Sequence, residues 1–304
     1  MNRVLDAEAP ATRLAAFRIV VGVFVVVYLI GRSPVFLALA DRPIADFEGV
    51  GILAPLSSPP SSGILTALIV VALATGVATT LGWRYRPNVI AFSLTMLVLT
   101  TLRGSWGQLL HFENLMVLQL LVLAGSPAAD AWSIDARGSD GDQRGNDDEK
   151  SIRYGWPLAI AGLVTVVTYV ITGIAKLRYG GLDWLSGDTL QNHIAYSAAR
   201  LDLLGGNKPV LAEIAVRQEW VLGACAVGAV AIELGAPVVF LGRRFRNVWV
   251  AAAWLMHVGI FLTMAVGFPS PLFGAAFVPF FALERIPPWV TNRLGRKRTV
   301  SVAS

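Results

Sequence analysis

Six ionisable side chains interrupt stretches that are otherwise almost wholly apolar. They are Arg18 in LAAFRIVVGVF, His111 and Glu113 in LLHFENLMVLQL, Lys176 in YVITGIAKLRYG, Glu233 in VAIELGAP and His257 in WLMHVGIF. Asn114 and Gln119 add amides to the second of these stretches. A histidine can give or take a proton near neutral pH, and a carboxylate can orient it. Ionisable groups at membrane depth are costly and point to function unless they are paired inside a bundle. With a rise of about 1.5 Å per helical residue, Glu233 and His257 fall near the middle of their apolar runs. Lys176 falls at the end of its run, and His111, Glu113 and Asn114 fall in the first turns of theirs. His111 and Asn114 are three residues apart and share a helix face. One cavity opening outward could therefore gather most of these groups.

Structural explanations stand beside the chemical one. Arg18 can tie helices together through a carboxylate, with Glu113 and Glu233 the candidates, or through backbone carbonyls. Glu233 can be that partner, or a protonated acid donating one hydrogen bond. Lys176 can snorkel to the interface, and either histidine of the apolar runs can simply bridge two helices. His193 lies in a polar segment and reads as an ordinary loop residue. Neither HxxxH nor ExxH spacing occurs around the three histidines, so no metal site is expected. The single cysteine, Cys225, cannot form an internal disulfide and reads as a small buried apolar residue.

These residues need elements to hold them, and composition says which. The chain has 304 residues, of which 55% are hydrophobic and 15% charged, whereas a soluble domain carries about 25% charged residues. A bilayer core about 30 Å thick takes a run of about 20 apolar residues per helical crossing. Runs of that kind recur near 14–31, 63–83, 89–103, 109–125, 156–175, 219–241, 248–267 and 271–284. The fold class expected is therefore all-α: a polytopic membrane bundle of about eight crossings in one domain over 1–290. The first run is long, contains Arg18 and lacks a small-residue cleavage site, so it reads as a retained crossing.

Charge fixes the expected orientation. With the N-terminus inside, sixteen Lys and Arg fall on the inner side and eight on the outer, with Arg18 within a crossing. Basic residues concentrate in cytoplasmic loops, so both termini are expected in the cytoplasm of a cell whose plasma membrane, a bacterial inner membrane, holds the chain. The net charge of +5 then belongs to membrane topology and not to nucleic-acid binding. Residues 136–150, ARGSDGDQRGNDDEK, lack large apolar side chains and are expected to be disordered. The tail 291–304 is a basic juxtamembrane segment suited to anionic lipid. Residues 32–62 and 176–218 hold too many large apolar side chains to hang in water. They are expected to fold back as short helices over the outer face.

Several segments carry a family resemblance. Residues 173–187, GIAKLRYGGLDWLSG, are similar to the G-x-x-K-L…W-x-x-G signature of the vitamin K-dependent γ-glutamyl carboxylases. LGWRYR at 81–86, SWGQLLHFENL at 105–115, WSID at 132–135 and AIELGAP at 231–237 follow in the order and spacing of the same family. Over most of its length the chain resembles the HTTM (horizontally transferred transmembrane) superfamily, to which those carboxylases belong.

The resemblance implies a chemistry. In the carboxylases a lysine deprotonates a reduced naphthoquinone, whose reaction with O₂ yields a base strong enough to take a γ-proton from a peptide glutamate. The carbanion then takes up CO₂. Lys176 occupies that lysine's place in GxxKL, His257 and His111 would hydrogen-bond the quinone or an oxyanion, and Glu233 would orient them. Asn114, Trp184 and Trp254 are expected to contact the cofactor, a menaquinol or another naphthoquinol. The substrate would be a secreted peptide or a small molecule. The carboxylases continue into a large extramembrane domain that helps to recognise their substrate, and this chain stops soon after its last expected crossing. Recognition of a peptide in the same way is therefore not expected. The superfamily also includes a factor for maturation of a secreted peptide toxin, so a non-enzymatic role in export or maturation is the alternative, with a transporter as a third.

Overall fold

The computed structural model describes residues 7–107, 111–138 and 149–285. The regular elements there are helical apart from the two-residue strands Ala9–Pro10 and Lys150–Ser151, which pair antiparallel. The helices that matter for the site are α1 (Ala11–Leu37), α2 (Ser62–Leu81), α3 (Tyr85–Arg103), α4 (Asn114–Gly125) and α5 (Ile152–Gly180). They are followed by α6 (Asp183–Ser186), α7 (Asp188–Leu203), α8 (Glu219–Leu234), α9 (Arg243–Met264) and α10 (Pro269–Leu272). Residues 139–148 of the expected disordered loop and the whole basic tail lie outside the described residues. The ends of that loop are ordered: Ile134–Gly138 is helical, and Lys150 pairs with Pro10.

Four helices among the described residues are long and apolar enough to cross a bilayer: Ala11–Asp41, Ser62–Leu81, Ile152–Gly180 and Arg243–Met264. Their outward faces show Val23, Val27, Ile30, Val70, Val77, Ile171 and Leu255 to the surroundings. Apolar surface so continuous suits lipid and not water. This is a multi-pass membrane protein.

Of the other expected crossings, 89–103 lies within the unbroken α3, Tyr85–Arg103, and the remaining three are short or broken. Residues 109–125 yield only the twelve-residue α4, preceded by a 3₁₀ turn at His111–Glu113. Residues 219–241 give α8 and then a 3₁₀ turn at Ala236–Phe240, because Pro237 cannot donate the next helical hydrogen bond. Residues 271–284 divide into α10 and a 3₁₀ segment, Ala275–Phe280, hinged at Gly274 with φ +80°. Apolar length signalled these runs; the prolines and glycines inside them decided their shape. Where non-helical backbone lies at membrane depth it must be buried or line a cavity, and the broken segments supply such walls.

Two packed cores share one wall. Leu14, Phe17, Val21, Phe92, Met96 and Leu120 belong to a core built on α1–α4, and Leu158 and Ala161 of α5 join it. One turn further along α5, Val166 and Tyr169 join a second core with Trp249, Ala253 and Phe277. A smaller cluster, Ile194, Ala212 and Leu222, seats α7 over α8. The segments 32–62 and 176–218 do form short helices, with Leu39, Leu53 and Ile194 buried.

Candidate functional site

The glycines, the lysine and the tryptophan of GxxKL…WxxG each have a steric or electrostatic reason to be what they are. A Cβ on Gly173 would stand 2.9 Å from Leu234 Cδ2 and 3.0 Å from Glu233 Cβ. The glycine thus lets α8 press against α5. Three residues on, along the same face, the Lys176 amine donates to Glu233 Oε1 in an ion pair whose side chains are 19% and 5% exposed. A Cβ on Gly180 would fall 2.0 Å from Trp184 Cδ1. Without one, Trp184 folds back over the helix end, and its ring centroid lies 5.1 Å from the Lys176 Nζ. Gly187 takes φ +95° and approaches the backbone of Gly223 too closely for any side chain. His193 stacks on Trp184 at 5.8 Å. An ammonium held between a carboxylate and an indole face is stabilised by both, so Lys176 does not snorkel away from the bundle.

His257 sits on α9 beside this pair. Its Nδ1 lies 2.8 Å from the Ala253 carbonyl, an acceptor only, so Nδ1 carries the proton and Nε2 presents a lone pair. No described residue hydrogen-bonds Nε2. Tyr169 and Phe268 flank the ring edge to face at 5.8 and 5.3 Å, and the Tyr169 hydroxyl lies 3.5 Å from Nδ1. Trp249 supports Tyr169 and donates from its indole to the Ile232 carbonyl at 2.8 Å, next to Glu233 in the chain.

Lys176, Glu233, His257, Tyr169 and Trp184 all line one cavity of about 690 Å³. Its remaining walls are apolar, from Leu222, Ile260, Met264 and Phe268 among others. Thr168 and Thr172 add hydroxyls along α5. Cys225 is exposed and lines this cavity, so it is not the buried apolar residue its neighbours suggested.

The other expected members are placed differently. The side chain of His111 lies outside the described residues. Asn114 is exposed at the start of α4 and does not line the cavity. Trp254 is 42% exposed on another face of α9, where its indole donates to the Leu272 carbonyl at 3.0 Å. It is three residues from His257, yet it lines a separate groove. Among the described residues no group of three or more His, Cys, Asp or Glu could hold a metal.

A second buried ion pair backs the cavity wall. Glu113 accepts from Arg103 Nη1 at 2.6 Å and from the Tyr28 hydroxyl, while the Arg103 guanidinium lies 5.0 Å over the ring of Phe112, a wall residue. Neither Arg103 nor Tyr28 is among the residues that the sequence singles out. Glu113 in an apolar run signals that some partner is needed, but not which one.

Arg18 takes the carbonyl alternative. It donates to the carbonyls of Ala128, Ala131 and Trp132, while the two candidate carboxylates pair elsewhere. Asp135, closing WSID, accepts from the backbone N–H of Arg84 and of Tyr85 at 2.9 Å each. It thereby caps α3 from fifty residues away, across the turn where Gly82 and Arg84 take positive φ. LGWRYR and WSID are thus two halves of one joint, locked by Arg18 from α1.

Similarity searches add one finding. The family profile for the HTTM domain matches residues 7–284. Neither a curated protein nor a solved structure matches the chain.

Proposed function

The chain belongs to the HTTM domain family, and on that premise we propose that it is a membrane-embedded enzyme that binds a naphthoquinol and uses Lys176 as its base. The observation that carries the reading is the placing of Lys176, Glu233 and His257 together at the polar end of an otherwise apolar cavity. Ligand sites usually combine an apolar pocket of about 300–1,000 Å³ with a few polar groups that fix orientation. The volume and the lopsided polarity suit a fused aromatic ring with a hydroxyl at the polar end and an isoprenoid tail along Leu222, Ile260 and Met264. A menaquinol meets that description, and once deprotonated it supplies an electron-rich ring that O₂ can oxidise.

The chain's own residues then have definite tasks. Lys176 and Glu233 share a proton: moving it from Nζ to Oε1 converts an ion pair into a neutral amine beside a neutral acid, and neither form buries net charge. The neutral amine can take a hydroxyl proton from a ligand. His257, with Nδ1 fixed by Ala253, can accept a hydrogen bond at Nε2 and hold that ligand in register. Trp184 and α7 limit water at the lysine. In this reading the bundle over 1–290 crosses the plasma membrane about eight times, as in a bacterial inner membrane. Both termini are cytoplasmic and the cavity opens outward beneath 176–218, towards a secreted peptide or small-molecule substrate.

Mass spectrometry of lipids and peptides retained by the purified protein tests the proposal. A bound naphthoquinone, lost from Lys176→Ala, is the expected result. A retained secreted peptide with no quinone would instead make the protein a maturation or export factor.

A further inference from the structure

Away from the cavity, arginines gather where α9 begins. Arg243 and Arg246 stand three residues apart in its first turn and share a face. Arg13 and Arg285 join them around a cleft of about 510 Å³ with Phe280 and Phe281. Among the described residues the acidic groups nearby do not balance this charge. Glu284 is taken by Arg13, which donates to it at 2.7–3.1 Å, and it also lies 3.8 Å from Arg285. Glu8 lines an adjoining cleft of about 300 Å³ that Arg13, Arg243 and Arg246 also line. No carboxylate pairs with Arg243 or Arg246 among the described residues, and the buried Arg246 Nε has no hydrogen-bond partner there. Gly242 offers no side-chain cap to α9, so the helix's positive end adds to the field.

The cleft continues into an apolar groove. Asn247, Phe281 and Leu283 line both the arginine cleft and a groove of about 480 Å³ that runs past Val250, Ala251 and Trp254. From Arg243 to Trp254 the lining residues recur at helical spacing, so one stripe of α9 changes from cationic to apolar along its length.

We propose that this stripe is a binding site for an anionic phospholipid, its phosphate held by Arg243 and Arg246 and one acyl chain laid along Val250, Ala251 and Trp254. Arginine presents a planar fork that matches phosphate oxygens. A free phosphate would use the cleft but would have no use for the groove, and the join between the two selects a lipid. The site is independent of the quinol reading, because none of the residues invoked lines the large cavity.

The test is the thermal stability of the delipidated full-length protein in neutral detergent, titrated with dioctanoyl phosphatidylglycerol, dioctanoyl phosphatidylcholine or inorganic phosphate. The anionic lipid should raise Tm saturably, and the other two should not. Arg243→Gln with Arg246→Gln should weaken the apparent affinity by about tenfold or more, the scale of losing a charge-assisted contact to an anion. Ala251→Phe, which fills the groove and leaves both arginines, should weaken it too. If the double variant does not fold, the single Arg243→Gln variant is used with the same criterion. Equal stabilisation by phosphate would reduce the feature to a free-anion site. An unchanged response in both the arginine and the groove variants would overturn the proposal.

Discussion

Lys176 meets Glu233 one helical turn beyond the place where Gly173 lets α8 lie against α5. The two facts are linked. A side chain at 173 would crowd the Glu233 Cβ and the Leu234 side chain, and the lysine, fixed to the same face of α5, would be held off its partner. The pair is also largely shielded from water, at 19% and 5% side-chain exposure, so its members are coupled in stability as well as in chemistry.

Removing one member should therefore do more than stop turnover. Lys176→Ala leaves a buried carboxylate that must be protonated or hydrated. A loss of about 1–3 kcal/mol is expected, below the ~3–5 kcal/mol of a fully buried pair because the lysine is partly solvated. Lys176→Met with Glu233→Gln should recover most of that stability and none of the activity. Lys176→Arg should keep the ion pair and lose the activity, since guanidinium does not give up its proton. Thermal unfolding and quinol-dependent turnover, measured together, separate the two effects. Activity in Lys176→Arg would remove the lysine from the role of base.

Gly173→Ala tests the close approach directly. A Cβ 2.9–3.0 Å from Leu234 and Glu233 must displace the Leu234 side chain or part α5 from α8. Overpacking of this kind costs about 1–3 kcal/mol. Activity should fall by more than stability predicts, because the shift moves Glu233 off Lys176. An alanine variant with wild-type Tm and turnover would show that the helices have slack there.

Much of this was legible in the sequence. The apolar runs set the fold class, and costly polar groups within them pointed to Lys176, Glu233 and His257. GxxKL…WxxG marked where α5 ends and the chain folds back. What stayed hidden was pairing. Nothing in the chain order ties Glu113 to Arg103 and Tyr28, or Asp135 to the N–H groups of Arg84 and Tyr85, because these contacts are made by side-chain direction across elements. Trp254 shows the same limit. At i−3 from His257 it shares a broad helical stripe, yet its indole turns to Leu272 and away from the cavity.

Arg18 should prove structural. It bonds three carbonyls in the segment Ala128–Trp132, and hydrogen bonds to a charged group contribute about 1.5–3 kcal/mol each, less than additively. Arg18→Met should lower stability by about 3 kcal/mol. Arg18→Lys should restore little, because one ammonium cannot span three acceptors with the same geometry. Quinone retention by whatever protein folds should be unchanged. Loss of quinone from a folded Arg18→Lys variant would assign the residue to the site instead.

Orientation is checked by labelling in intact cells, with Cys225 first replaced by alanine. Single cysteines at Ser139 and Ser301, both outside the described residues, should be shielded from impermeant thiol reagents. One at Ser186, exposed at the end of α6, should react. Labelling of Ser139→Cys from outside would invert the topology and place the cavity mouth in the cytoplasm.

The native thiol offers a direct view of the cavity. Cys225 is the chain's single cysteine and is exposed on the cavity that Lys176 and His257 line. A small membrane-permeant reagent such as N-ethylmaleimide should modify the wild-type protein with no background from other thiols. A ligand bound against Leu222 and Ile260 must cover that sulfur, so a short-tailed naphthoquinol analogue should slow modification in proportion to its occupancy. With the analogue at ten times its Kd, about nine-tenths of the sites are filled, and the rate should fall about tenfold. Ala229→Phe, which narrows the same cavity from α8, should weaken protection without altering the reagent's access in the absence of ligand by more than a small factor. Glu233→Gln should weaken it through the polar end. If a saturating analogue leaves the Cys225 rate unchanged, the quinol does not occupy this cavity, and the base assigned to Lys176 has no acid to act on.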